Sequence, residues 1–233
     1  MKRLFFSFSL ILAAVSASYS QETRFSVRAN VGAAYLPLTA WNDFVGKTNL
    51  QTDLYEICNP IVYGGASVIY RISEEHFVSI ASEVLRPQRK FVGSLLNVTS
   101  NSDTIGFFPL RIDWNFTGIP LTLGYEYHTG FLKNRFEPVV GIGVSYFFSE
   151  VTTKSIVIDS PRSSYFKQNL KRTGRGYGVN TSIAFQTKLN DSFKTLWQIR
   201  YRYSNGMAFT DNKGDIKVEF SGFGFAVGVE YSL

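Results

Sequence analysis

The end of the chain sets the pattern. From residue 222 to 233, Phe223, Phe225, Val227, Val229, Tyr231 and Leu233 fall on one side of an extended backbone, and Gly222, Gly224, Ala226, Gly228, Glu230 and Ser232 on the other. Alternation with a period of two marks a β-strand with one apolar face. Residues 193–204 repeat it, with Phe193, Thr195, Trp197, Ile199, Tyr201 and Tyr203 opposing Lys194, Leu196, Gln198, Arg200, Arg202 and Ser204. Residues 177–189, 136–148, 119–127 and 25–35 alternate in the same way. Two weaker segments, 61–72 and 77–86, bring the expected strands to eight.

One stretch conflicts with this scheme. Parity carried upstream from Ile119 puts Arg111 and Asp113 on the apolar face. A β-bulge near Gly118 would reverse the facing and send Phe108, Leu110, Ile112, Trp114 and Phe116 outward. That bulge is the expectation; the alternative is that the stretch projects beyond a membrane, where parity counts for less.

The connections decide between a soluble sandwich and a membrane barrel. They run 25 (36–60), 4 (73–76), about 22, 8 (128–135), 28 (149–176), 3 (190–192) and 14 (204–217) residues. Long and short alternate strictly, as in outer-membrane barrels with short periplasmic turns, long outer loops and an even number of strands. Aromatic residues close the apolar faces (Tyr35, Tyr127, Phe148, Tyr203 and Tyr231), where interfacial girdles belong. A barrel that buried its apolar side inward would leave Arg28, Arg71, Glu83, Arg200, Arg202 and Glu230 on its outer wall. The expected fold is therefore all-β: an eight-stranded antiparallel up-and-down transmembrane barrel over residues 21–233, with both ends of the mature chain on the periplasmic side.

Composition and the N-terminus agree. Lys2 and Arg3 precede an apolar run from Leu4 to Val15 and the small residues Ser16, Ala17, Ser18 and Ser20. This reads as a secretory signal peptide, residues 1–20, cut before Gln21; its apolar core is too short for the ~20 residues of a spanning helix. Its removal takes the net charge of +6 to +4, because two of the 24 basic residues go and none of the 18 acidic ones. Cys58 stands alone, so no internal disulfide forms, and Cys58, His76 and His128 are too few for a structural zinc site. Aromatics at 16 % and charged residues at only 18 % exclude a disordered chain.

Two further segments carry a family resemblance. Gly118-Ile119-Pro120-Leu121-Thr122-Leu123-Gly124-Tyr125-Glu126-Tyr127, followed by Phe136-Glu137-Pro138-Val139-Val140-Gly141-Ile142-Gly143, resembles the core of small outer-membrane β-barrel proteins of the PorT-like type, common in Bacteroidota. The likeness is sharp over two strands and otherwise architectural. The last residues, Gly228 to Leu233, resemble the terminal barrel-assembly signal, departing from it in ending on Leu233 instead of Phe. The resemblance implies an outer-membrane location and an eight-stranded barrel, and little about activity.

Candidate sites follow from the facing. Arg28, Arg71, Lys188, Lys194, Arg200 and Arg202 would share the interior with Glu83, Glu126, Glu137 and Glu230. Eight strands leave room only for side chains, so these groups must pair with one another. The core of the expected network is Arg28, Arg71, Glu83, Glu126, Arg200, Arg202 and Glu230, with Arg28, Arg200 and Arg202 gathered around Glu230. Residues 149–176 form a basic outer loop (Lys154, Arg162, Lys167, Lys171, Arg172 and Arg175) suited to lipopolysaccharide phosphates. His128 lies near Glu126 and Thr129, but at a short turn and with no serine placed for attack. The segment 211–215 lacks the spacing of a calcium loop, and Gly141 and Gly143 read as inner-wall packing. The expected protein has no cofactor, metal or catalytic site and binds no nucleic acid. It would be a monomeric scaffold in the bacterial outer membrane, meeting lipid, lipopolysaccharide and other envelope proteins; the alternative is a small porin for ions or small apolar molecules.

Overall fold

A computed structural model describes residues 24–38, 60–98, 105–130, 136–159, 164–205, 207–211 and 214–233. The signal segment, Cys58 and Arg162 lie outside the described residues. The strands are β1 (Phe25–Tyr35), β2 (Ile61–Arg71), β3 (His76–Val84), β4 (Gln88–Val98), β5 (Ile105–His128), β6 (Glu137–Asp159), β7 (Ser164–Lys188), β8 (Phe193–Ser204), β9 (Met207–Asp211), β10 (Gly214–Val218) and β11 (Gly222–Ser232). They make eight walls, all antiparallel. β3 and β4 pair with β5 in one unbroken register, joined by the Leu85–Gly118 bridge and interrupted at Pro87, which has no N–H to donate. β8 runs on into β9 and β10 into β11.

Pairing of β1 with both β2 and β11 closes the ring. A path across the ladder from Phe25 through Tyr70, Val78, Tyr125, Ile142, Thr181, Tyr201 and Phe223 returns to β1 at Tyr35, ten residues further on. With eight strands, that stagger sets a strand tilt of about 40° and a backbone radius of about 8 Å. The closing seam is tight at Gly32, where a Cβ would stand 2.2 Å from the Phe225 carbonyl oxygen.

The facing is that of a membrane protein. Val62, Ile80, Leu123, Ile142, Ile183, Ile199 and Phe225 are exposed on the outer wall, while Arg28, Ser67, Glu83, Glu126, Asn180, Gln198 and Glu230 are buried in the lumen. Aromatic pairs line both ends of the apolar band, Phe25 with Tyr70 and Phe193 with Tyr231 at one, Tyr146 with Tyr177 and Tyr201 with Phe223 at the other. At ~3.3 Å per residue and this tilt, Phe25 to Tyr35 covers about 25 Å of height, the thickness of such a band.

Two expectations fail here. First, β5 has no bulge near Gly118: its register against β6 is continuous from Leu110 to His128. Trp114 and Phe116 therefore point inward and are buried, and Arg111 and Asp113 face outward as an ion pair at 3.1 Å. The stretch projects beyond the apolar band, where an outward charge meets water. Gly118 serves another purpose, since a Cβ there would meet the Phe220 ring at 2.9 Å. The register does shift by one residue, but between Ser204 and Met207: β8 and β9 differ in this way against both β7 and the β10–β11 wall. Second, the long connections, the one of about 22 residues after 86 and those over 149–176 and 204–217, are largely strand. β4, β5, β6 and β7 rise beyond the band as one four-stranded sheet, and β9 and β10 as a hairpin. The turns at the other end are short. In one, Asn190 Oδ1 accepts the backbone N–H of Ser192 (2.9 Å) and Phe193 (2.8 Å). There the Lys188 ammonium, 2.7 Å from Asp191, holds that carboxyl below the usual carboxylate range.

Candidate functional site

Among the described residues the lumen gathers the buried charged groups, and it is layered. Nearest the short turns, Arg28 is gripped by two carboxylates. Its Nη1 and Nη2 donate to the two oxygens of Glu126 at 2.8 and 2.9 Å, and its Nε and Nη2 donate to Glu230 at 3.1 and 2.8 Å. Glu230 is the ladder neighbour of Arg28, whereas Glu126 reaches across from β5. Gln186 adds a third donor to Glu230 at 3.0 Å. Below them His128, buried against the Phe77 ring, has Nδ1 3.4 Å from Glu137 and Nε2 3.9 Å from Glu126.

Higher in the lumen, Glu83 accepts from both Arg200 and Arg202, and Arg200 also donates to Gln198 at 2.8 Å. Beside this group, Asn180, the ladder neighbour of Arg202, donates to Ser145 at 3.1 Å, and Ser145 bonds Thr122 at 2.7 Å. At the mouth nearest the long connections the filling becomes apolar. Leu36, Leu38, Leu85, Trp114, Phe116, Phe147, Val151, Val218 and Phe220 form one buried cluster. Leu36 to Leu38 turn inward after β1, with Leu38 in the left-handed region (φ 51°), and Arg89 ties the strap by donating to the Pro37 carbonyl at 2.9 Å. Left-handed backbone costs a branched residue energy; burial of Leu36 and Leu38 to 1 % exposure offsets it.

The expected interior network is thus brought together, but divided. Arg28, Glu126 and Glu230 form one group and Glu83, Arg200 and Arg202 the other. Arg200 and Arg202 do not reach Glu230, because their ladder partners on β11 are Gly224 and Gly222, six and eight residues away from it. The stagger of the barrel instead carries the top of β3, with Glu83, across the lumen to them. Arg71 joins neither group; it is exposed at the strand end and donates to the Ser73 carbonyl. Lys194 stands half-buried at the same mouth. His128, expected at a turn, is the last residue of β5 and points into the lumen. Gly141 and Gly143 do pack on the inner wall, where a Cβ would crowd Ser182 and Thr122.

The basic segment also changes character. Lys154, Lys171 and Arg175 are exposed on the outer face of the β6–β7 ladder, Arg172 has inward parity, and the side chain of Lys167 lies outside the described residues. Lys171 pairs with Glu150 at 2.8 Å. Sequence reading missed Arg86, Lys90 and Arg111, which the register sets on the same outer face. It also missed the apolar mouth, whose signal was present in Phe147, and a smaller buried group near the short turns, Val139, Ala184 and Leu196; Phe147, Leu196 and Val139 are apolar residues on otherwise polar faces.

No known family's pattern matches the chain, and no curated protein does. Several solved structures share the course of the fold. Neisserial surface protein A is 14 % identical, with a TM-score of 0.47, and the match covers 92 % of this chain and 100 % of that one. OprG from Pseudomonas aeruginosa, an outer-membrane protein, is 14 % identical with a TM-score of 0.48, covering 91 % and 97 %. Ail of Yersinia pestis, the attachment invasion locus protein, is 12 % identical with a TM-score of 0.42, covering 91 % and 100 %. At these identities the likeness is one of fold.

Proposed function

We propose that the chain is a sealed barrel of the bacterial outer membrane, with affinities to the PorT-like group, whose role is structural or interactive. The observation that carries this reading is the filled lumen: two ion-pair clusters with an apolar plug above them. Ions moving through would have to strip Arg28 and Glu83 of partners that cost several kcal/mol to lose, and then cross a dry apolar mouth. With the lumen closed, the surfaces left for a partner are the outer wall and the sheet that rises beyond it. The reading includes no catalysis. His128 is held among carboxylates, and the neighbouring Thr129 hydroxyl donates to the Pro138 carbonyl, so among the described residues no nucleophile is set against it. Planar-bilayer recording on the refolded protein tests the proposal. Silence is the expected result; large, steady single-channel steps would overturn it in favour of a small porin.

A further inference from the structure

The register of β4, β5, β6 and β7 allows their outer face to be read as a grid. The lowest row is Val84, Ile119, Phe148 and Arg175; above it stand Arg86, Thr117, Glu150 and Thr173, then Gln88, Asn115, Thr152 and Lys171, then Lys90, Asp113 and Lys154, with Arg111 above. Six cations, all exposed, share this face with two carboxylates. Glu150 is taken by Lys171, and Asp113 lies 3.1 Å from Arg111. The surplus is four positive charges, set directly above the outward Ile119, Phe148 and Tyr177.

The cations also stand at two heights. Because the ladder rows climb by about 3 Å per strand from β3 to β7, Arg86 and Arg175 lie level with the upper edge of the aromatic band. Lys90 stands roughly 5–10 Å higher, and Lys171, Lys154 and Arg111 roughly 10–18 Å higher, on the same estimate. A glycerophospholipid offers its phosphate in a single layer at the hydrocarbon edge and would meet the lower pair alone. A glycolipid phosphorylated both at its membrane anchor and along its sugar chain would meet both tiers. Guanidinium suits the phosphates at the border, where its fork can bind two oxygens in a partly dehydrated setting, and lysine suits the more hydrated tier above.

We propose that the outer face of the β4–β7 sheet is a binding surface for a phosphorylated glycolipid of the outer leaflet, with Arg86 and Arg175 on its membrane-level phosphates and Lys90 and Lys154 on phosphates of its sugars. The proposal rests on the outer-membrane reading above and would account for what the projecting sheet does.

The test is lipid retention by the full mature chain, refolded into phosphatidylcholine vesicles containing lipopolysaccharide, chemically dephosphorylated lipopolysaccharide or phosphatidylglycerol. Heat-modifiable mobility on gels reports insertion, and the lipid that survives extraction and affinity capture is weighed by mass spectrometry. Lipopolysaccharide should be retained in preference to both other lipids. Retention should fall about tenfold in R86Q/R175Q and again in K90Q/K154Q, each pair removing charge-assisted hydrogen bonds. If a double variant does not insert, the single variants R175Q and K154Q replace it, with a roughly threefold loss each. Equal retention of phosphatidylglycerol, or of the dephosphorylated form, would overturn the glycolipid assignment while leaving the barrel reading intact. Retention unchanged by the substitutions would overturn the surface. Failure to insert into any vesicle would overturn the membrane placement, and the lipid surface with it.

Discussion

Removing Glu83 should damage this barrel more than removing Glu230, and the difference follows from how each carboxylate is shared. The side chains of Glu83 and Arg202 are 3 % and 7 % exposed, and Arg202 has no other carboxylate within reach among the described residues. Arg200 has only Gln198 besides. In Glu83→Ala, two guanidinium groups two residues apart on one face, Arg202 buried and Arg200 part-buried, are left with no counter-charge. Breaking a buried pair by removing one partner costs about 3–5 kcal/mol, and two positive charges roughly 7 Å apart repel by about 2 kcal/mol at an effective dielectric near 20, now unopposed. Glu230→Ala is milder, since Arg28 keeps its two-bond grip on Glu126. The main orphan there is the Gln186 amide, at about 1–3 kcal/mol. Glu83→Gln should fall between, keeping the shape and one acceptor oxygen. Urea unfolding in lipid vesicles, followed by tryptophan fluorescence and by gel mobility without heating, gives the three values against the parent. A Glu83→Ala variant within about 0.5 kcal/mol of the parent, or one more stable than Glu230→Ala, would refute the division of the lumen into two clusters.

Two other outcomes test the facing and the orientation. Val227 points outward midway along β11, beside Val31 and Trp197, so Val227→Arg should cost about 2–4 kcal/mol in a bilayer; a variant as stable as the parent would mean that the wall is not in hydrocarbon. In a Cys58→Ser background, Asp191→Cys should react with a membrane-impermeant maleimide only after the outer membrane is opened, and labelling of intact cells would show the barrel inverted.

The strands that cross the band were legible in the sequence because each carries an unbroken outward row of large apolar residues. β1, β8 and β11 lie where alternation puts them, to within a residue. The projecting sheet was not legible, because beyond the band neither face needs to be apolar. Thr117, Asn115 and Thr152 alternate with Phe116, Trp114 and Val151, but here the apolar residues face inward, the reverse of the band, so the long β-hairpins do not continue its pattern and read as loops. The supposed bulge arose from the same cause: Arg111 and Asp113 look misplaced only if the band is assumed to reach them. The inner clusters were half legible. Parity placed Arg28, Glu83, Glu126, Arg200, Arg202 and Glu230 inside, but partnership across the lumen depends on the stagger of the barrel, a property of the closed ring that no single strand carries.

That stagger leaves each cluster with an unmatched charge: Arg28 stands between two carboxylates and Glu83 between two guanidinium groups, so one cluster is left negative and the other positive, and the two cancel. The heights implied by the register put them roughly 15 Å apart along the axis. Opposite unit charges at that distance attract by only about 1 kcal/mol at an effective dielectric near 20, far less than either cluster gains from its own contacts. The clusters should therefore behave as separate units. Glu83→Ala combined with Glu230→Ala should cost close to the sum of the single losses, within about 1 kcal/mol, whereas Arg28→Met combined with Glu230→Ala should cost well below its sum because both act on one group. Measured as a double-mutant cycle in the same vesicles, strong coupling between Glu83 and Glu230 would mean one continuous network running the length of the lumen. A lumen of that kind could pass a change in charge from one face of the membrane to the other, whereas two independent clusters are what the sealed barrel proposed above requires.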